Sequence, residues 1–385
     1  MGARTLLRTD DRGLRLTTVG GEPGFWIDPW KTVHTAVITH AHADHARPGM
    51  GRYFCAAPCE PLLRRRVHAG ADITAVPYGK SFSIGGASLS FHPSGHCLGA
   101  AQVRVETAEG VAVAAGDYKR ASDPTCEPFE VVPCDEFVTE ATFALPIYRW
   151  RPTAETAAEL LSWWDDCAEQ GKAAILFCYA LGKAQRVMGE LHRIMSSGGV
   201  ERATEPGRSI RTHGAVEPML AGYRELGVEL PATHRVAEGD RAVGKNSPFR
   251  GSLVIAPPSA AGSAWMRRFG ANADYETGFA SGWMRVRGRR RRGGYDRGFV
   301  ISDHADWPDL VRTCDETGAT RVLCTHGSSS VLAGFLNERA RERGDERFRA
   351  AVLETAYEGE GGAERAGEGE DHSSESCATE ESREA

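Results

Sequence analysis

Short apolar runs that stop at a polar residue recur along the first third of the chain. Val33 to Thr39 reads Val-His-Thr-Ala-Val-Ile-Thr, a buried strand by length and composition, and Pro48-Gly49 soon marks a loop. Residues 84–93 alternate loosely and end at Pro93-Ser94-Gly95, again strand then turn. Val111 to Ala115 is continuously apolar and stops at Gly116-Asp117, and Phe137-Val138-Thr139 ends in Glu140. Polar and ionisable residues just beyond strand ends are where sites in layered α/β proteins commonly lie.

After residue 150 the texture changes. Pro152 opens a helical stripe of Ala157, Leu160, Leu161, Trp164 and Cys167, closed by Gly171. A strand follows from Ala173 to Cys178, then a second helix with Ala184, Val187, Met188, Leu191 and Met195 inward, and later a strand from Leu253 to Ala256. This strand–helix alternation predicts an α/β unit of its own over residues 146–298. The closing segment, 299–355, holds Phe299-Val300-Ile301, a helix from about Pro308, the strand Val322-Leu323-Cys324, and a last helix and strand.

Composition adds limits. With 385 residues, 41% hydrophobic and 25% charged, the chain has the makeup of folded domains and excludes disordered, collagen-like or disulfide-scaffold classes. No apolar stretch approaches membrane-spanning length, and the N-terminus lacks a leader pattern, so a cytoplasmic location is expected and the ten cysteines are read as reduced thiols. The net charge of −6 is unevenly placed: residues 356–385 hold ten Asp/Glu and two Arg, a net of −8, leaving the rest at about +2. That segment has the composition of an acidic disordered tail. Arg285, Arg287, Arg289, Arg290, Arg291, Arg292 and Arg297 crowd thirteen residues.

The densest chemistry is His40-Ala41-His42-Ala43-Asp44-His45, four potential metal ligands in six residues directly after a strand. Imidazole with carboxylate suits zinc, manganese or iron. So many ligands in one short loop cannot easily face a single ion, so two adjacent ions are the natural reading. His96, Asp117, His304 and His326 follow later strands and complete the inventory. Taken singly, each is an ordinary strand-end residue. Tyr179-Ala180-Leu181-Gly182-Lys183-Ala184-Gln185 superficially resembles a nucleotide loop, but it lacks the first Gly and the Ser/Thr after Lys, which argues against ATP.

The run H-x-H-x-D-H, a Gly-His loop, a Gly-Asp strand end and a late Thr325-His326-Gly327 resemble the metallo-β-lactamase fold. Thr139-Glu140-Ala141-Thr142 and Ser302-Asp303-His304, bracketing an insertion, resemble its β-CASP nuclease subgroup. Thr139-Glu140-Ala141-Thr142-Phe143 with Leu145-Pro146-Ile147-Tyr148, Ser281-Gly282-Trp283-Met284 and Ser302-Asp303-His304-Ala305-Asp306-Trp307 are similar to bacterial ligase-associated DNA exonucleases, proteins also labelled mRNA 3′-end processing factors.

This resemblance implies an αββα sandwich from residues 1–145 and 299–355, interrupted by a β-CASP insert at 146–298. It implies a metal-dependent phosphodiesterase with two divalent ions, zinc or else manganese, acting on nucleic acid, DNA ahead of RNA, in DNA repair. A DNA ligase or helicase would be the partner. His40, His42 and His96 would hold one ion, Asp44, His45 and His326 the other, with Asp117 bridging. Glu140, His304 and His326 match the subgroup's three motifs. DNA-cleaving members of higher organisms often lack the third-motif histidine, whereas RNA-cleaving members keep it, as this chain does.

Chemistry assigns the remaining roles. His304, aligned by Glu140, is the expected proton donor to the leaving oxygen. Asp44 joins them in the catalytic set. Arg285, Arg287 and Arg289 to Arg292, with Ser281 and Gly282, are expected to contact phosphate; a solvated loop is the plainer reading of the arginines. An RNA-processing ribonuclease, a binding protein with a dead site and a small-ester hydrolase are the rival functions.

Overall fold

The computed structural model describes residues 5–16, 24–197, 208–242, 247–286 and 294–355, which build three β-sheets. The first, six-stranded, takes its strands in chain order: Leu7–Thr9, Leu14–Leu16, Trp26–Ile27, Thr35–Val37, Arg52–Ala56 and Ile73–Val76. The second has seven strands in the order Arg349–Val352, Arg321–Thr325, Glu136–Glu140, Gly110–Ala114, Ala101–Thr107, Ala87–Pro93 and Phe82–Ile84. Val37 and Phe54 from the first sheet share one core with Phe91, Val103 and Ala112 from the second, so the two sheets pack face to face. The far face of the second sheet, with Val113, Phe137 and Val322, is covered by Leu310 of helix Trp307–Glu316 and Leu332 and Leu336 of helix Ser329–Glu342.

Glu136–Glu140 is an interior strand of the second sheet, third of its seven. It pairs in parallel with Gly110–Ala114 on one side and Arg321–Thr325 on the other, and all five residues are buried. A strand enclosed on both faces reads as a nearly unbroken apolar run, which is why Phe137-Val138 was legible. Its first residue, Glu136, accepts hydrogen bonds from the Leu6 and Leu7 amides at 3.1 and 2.6 Å, which satisfies a carboxylate otherwise costly to bury.

The third sheet is parallel throughout, in the order Thr233–Arg235, Ile210–Thr212, Leu253–Ala256, Ala173–Phe177, Tyr275–Ala280 and Arg297–Phe299. Helices Thr153–Glu169 and Lys183–Ser197 bury Trp164, Val187 and Leu191 against one face, while Phe249, Phe269 and Trp283 fill the other. The helix opened by Pro152 and the strand Leu253–Ala256 fall where the pattern placed them. The strand read at Phe299 to Ile301 instead stops at Phe299. There Ile301 N–H turns back onto the Phe299 carbonyl at 3.0 Å and the chain leaves the sheet towards His304.

Candidate metal centre

Each of the expected ligands leaves the end of a strand. His40 follows Thr35–Val37, His96 follows Ala87–Pro93, Asp117 follows Gly110–Ala114 and His326 follows Arg321–Thr325. The face-to-face packing of two sheets therefore brings segments far apart in sequence to one buried point. Gly95 makes the approach possible. At φ +71°, an added Cβ would sit 2.2 Å from the Lys119 carbonyl oxygen, so a side chain there would push the His96 loop off its neighbour.

The Asp117 carboxylate is the focus. Its Oδ2 lies 3.6 Å from His40 Nε2, 3.5 Å from His45 Nε2 and 3.9 Å from His96 Nε2, and its Oδ1 lies 3.9 Å from His326 Nδ1. His42 Nδ1 faces His96 Nε2 at 3.0 Å, and Asp44 Oδ2 is 3.7 Å from His45 Nε2. His40, His42, His96 and Asp117 each offer an atom within 4.8 Å of all the others. The six other expected ligands thus gather around this one carboxylate.

The outward-facing nitrogens determine what the inward ones can offer. His45 Nδ1–H donates to Asp28 at 2.7 Å and His96 Nδ1–H to the Asp303 carbonyl at 2.9 Å. Thr39 commits its hydroxyl proton to Asp28 at 2.5 Å, so its oxygen accepts from His40 Nδ1–H at 3.0 Å. His42 donates through Nε2–H to the Leu181 carbonyl at 3.1 Å. Burial would lower His45, but Asp117 and Asp44 hold it well above the usual histidine range, so its Nε2 keeps a proton towards Asp117. With the other protons facing out, lone pairs on His40, His42 and His96 turn into the cluster, the tautomer pattern of metal-ligating histidines. Two of them, on His42 and His96, face each other at 3.0 Å, a repulsion that a cation between them relieves. His40 Nε2 is buried with no hydrogen-bond partner among the described residues. Bonds of about 2.1 Å from one ion to two nitrogens allow spacings of this size, so the residues fit a divalent metal.

Electrostatics agree. Burial, with neighbouring imidazoles, holds His40 well below the usual histidine range. Burial likewise takes His96 to about 3 and His326 to about 4, so these rings are neutral at physiological pH. Burial would raise Asp117, but His45 and His304 outweigh it and keep the carboxylate ionised.

Beside the cluster, His304 Nδ1–H donates to Glu140 Oε2 at 2.8 Å, and the Tyr118 amide donates to Glu140 Oε1 at 2.8 Å. Trp150 Nε1–H ties down the His304 carbonyl at 2.9 Å, and the His304 and His96 rings are 4.8 Å apart. Burial raises Glu140 despite its histidine partner.

Other expected contacts fall elsewhere. Ser281 is fully buried, its Oγ accepting from Trp283 N–H at 3.3 Å, and Gly282 is packed against the Phe143 ring, so both line an interior and not an open surface. Arg285 is exposed, its Nε–H donating to the Ile147 carbonyl at 3.4 Å. Arg287 and Arg289 to Arg292 lie outside the described residues. Two participants carried no role in the sequence reading: Asp28, at the end of strand Trp26–Ile27, and Asp303, quoted there only as part of the motif around His304. Among the described residues, Asp28 (φ 43°) and His326 (φ 63°) are the non-glycine positions in the left-handed region. Such backbone costs about 1–3 kcal/mol each and clusters at functional sites.

No established family profile matches the sequence. A protein named probable DNA ligase from Opitutus terrae is 28% identical over 83% of this chain, which spans only 29% of that relative's length. Endoribonuclease YSH1 of Eremothecium gossypii is 30% identical over 40% of this chain and 25% of its own. The Schizosaccharomyces pombe protein of the same name is also 30% identical, over 41% of this chain and 25% of its own. A crystal structure of a protein of unknown function from Enterococcus faecalis V583 shares the fold, with TM-score 0.51 and 11% identity over 83% of this chain and 79% of that one. By motif and by relatives, the chain resembles the β-CASP nucleases of metallo-β-lactamase type, and among them the ligase-associated exonucleases.

Proposed function

We propose that this chain is a metal-dependent nuclease that hydrolyses phosphodiester bonds, acting as a DNA exonuclease in repair. The observation that carries the reading is the set of histidine ring nitrogens converging on the buried Asp117 carboxylate. His40, His42 and His96 would hold one divalent ion, and Asp44, His45 and His326 a second, with Asp117 shared. Zinc or manganese bound there would supply a low-pKa water as nucleophile and offset charge on the phosphate oxygens. In this reading the packed sheets of residues 1–145 and 299–355 form the αββα sandwich, 146–298 the β-CASP insert and 356–385 an acidic tail.

The chain's own groups do the rest. Glu140, held by the Tyr118 amide, fixes His304 with Nδ1–H bound and Nε2 directed away, where it delivers a proton to the leaving oxygen. Arg285, with the arginines that follow it, gives a basic approach for the phosphate backbone. The relative named probable DNA ligase supports DNA as substrate and a ligase as functional partner. The endoribonuclease relatives and the retained His326 favour a second reading, RNA processing.

The deciding experiment incubates purified protein with manganese or zinc and matched, end-labelled DNA and RNA strands. A metal-dependent product ladder on DNA supports the first reading, and cleavage of RNA alone moves the protein to the second. Two bound metal equivalents without cleavage of either strand would overturn nuclease function.

A further inference from the structure

The loop Tyr179-Ala180-Leu181-Gly182-Lys183 leaves the third sheet and enters the cluster of the other two. Leu181 gives its carbonyl to His42. Gly182, at φ +80°, passes so close that an added Cβ would lie 3.2 Å from Cys97 Cβ and 3.3 Å from Asp303 Oδ2. Lys183, the first residue of helix Lys183–Ser197, then places Nζ 3.1 Å from Asp303 Oδ1, and both side chains are fully buried. The ammonium also sits 4.6 Å over the Tyr179 ring.

Asp303 touches both halves of the site. Its main-chain carbonyl takes the Nδ1–H of His96 at 2.9 Å, and its Oδ1 lies 3.9 Å from His304 Nε2. We propose that Lys183 and Asp303 form a positioning pair through which the third-sheet unit holds the metal ligand His96 and the proton donor His304. The inference rests on the nuclease reading for those two roles. Lys183 keeps the Asp303 carboxylate engaged, so that it neither captures the His304 Nε2 proton nor pulls away the carbonyl that orients His96. The next turn of the helix adds a second buried cation. Arg186 pairs with Asp123 at 2.8 Å and donates to the Gly95 carbonyl at 3.2 Å, on the same ligand loop. Outer partners of this kind typically change metal affinity or activity by roughly 10–100-fold when removed.

The test uses the full chain with Lys183→Met, Lys183→Arg, Asp303→Asn and the double variant Lys183→Met/Asp303→Asn. Zinc affinity is measured by competition with a chromophoric chelator, alongside melting temperature, kcat and KM. Lys183→Met is expected to weaken zinc about tenfold or more and to lower kcat similarly, with KM within about twofold of wild type. Lys183→Arg should stay near wild type. The double variant should recover part of both losses, because it removes the stranded carboxylate. A melting temperature that falls while zinc affinity and kcat stay at wild-type values would reduce the pair to structural packing and overturn the proposal. If Lys183→Met does not fold, Asp303→Asn decides: it leaves the buried Lys183 charge without its carboxylate and should weaken zinc, whereas wild-type affinity and turnover would overturn the idea. A wild-type chain that binds zinc yet cleaves neither DNA nor RNA refutes the proposed function, while the zinc comparison still decides this inference.

Discussion

Replacing Glu140 with Gln isolates the charge behind the proton donor. The side chain keeps its volume and can still accept from the Tyr118 amide, but the carboxylate 2.8 Å from His304 Nδ1 is gone. Two unit charges at that separation attract by about 6 kcal/mol at an effective dielectric near 20. Desolvation of a buried pair returns several kcal/mol of that, leaving on the order of 3 kcal/mol. At 1.36 kcal/mol per decade, the expected loss in kcat is about a hundredfold. KM and bound metal should not change, because Glu140 lies outside the expected ligand set. Single-turnover cleavage of a labelled oligonucleotide at saturating metal measures the step. His304→Ala should lose at least as much, and Glu140→Gln combined with it should cost little more. Wild-type turnover in Glu140→Gln, or full additivity of the two substitutions, refutes the assignment of Glu140 and His304 as one unit.

His42→Ala and Asp117→Ala should each abolish hydrolysis and lower bound metal while the fold survives, because the cores of the packed sheets do not depend on them; elemental analysis and circular dichroism check both halves. Replacing Arg289, Arg290, Arg291 and Arg292 together should weaken single-stranded DNA binding and flatten its salt dependence, with turnover kept at saturating substrate; an unchanged slope returns the run to a solvated loop. Metal-free protein should lose stability as pH falls from about 6.5 towards 4, because His96 near 3, His326 near 4 and the depressed His40 bind fewer protons folded than unfolded, where histidine titrates at about 6.5. His45, which burial would lower but Asp117 and Asp44 raise, does not counter this: its stabilisation is already complete below about 6.5 and is lost only as pH rises above that value. Thermal melts with chelator present test the trend, and a flat or inverted profile across that window contradicts it.

The ligand run was legible because its members are almost consecutive, so no tertiary knowledge was needed to see them converge. Glu140 and His304 were legible for a different reason, as ionisable residues closing apolar strands. The first sheet largely escaped notice: Trp26–Ile27 has two residues and Leu7–Thr9 three, too few for alternation to register. Asp28 was hidden with them, since it reaches His45 only because Ile27 pairs with Val37. Lys183 was visible but read against a nucleotide-loop template. Its partner Asp303 lies beyond the whole third sheet, a distance that no local pattern bridges.

The pairing of Glu136–Glu140 with Arg321–Thr325 has a consequence for biosynthesis. The ribosome releases the first of these strands long before the second, with the third sheet in between. That sheet has its own apolar clusters and can collapse meanwhile. Glu136–Glu140 waits with one edge unsatisfied, an apolar strand open to association with another chain. Contacts this distant in sequence also slow the final search. His326 arrives only when Arg321–Thr325 docks, so completion of the expected ligand set is among the last things the nascent protein acquires.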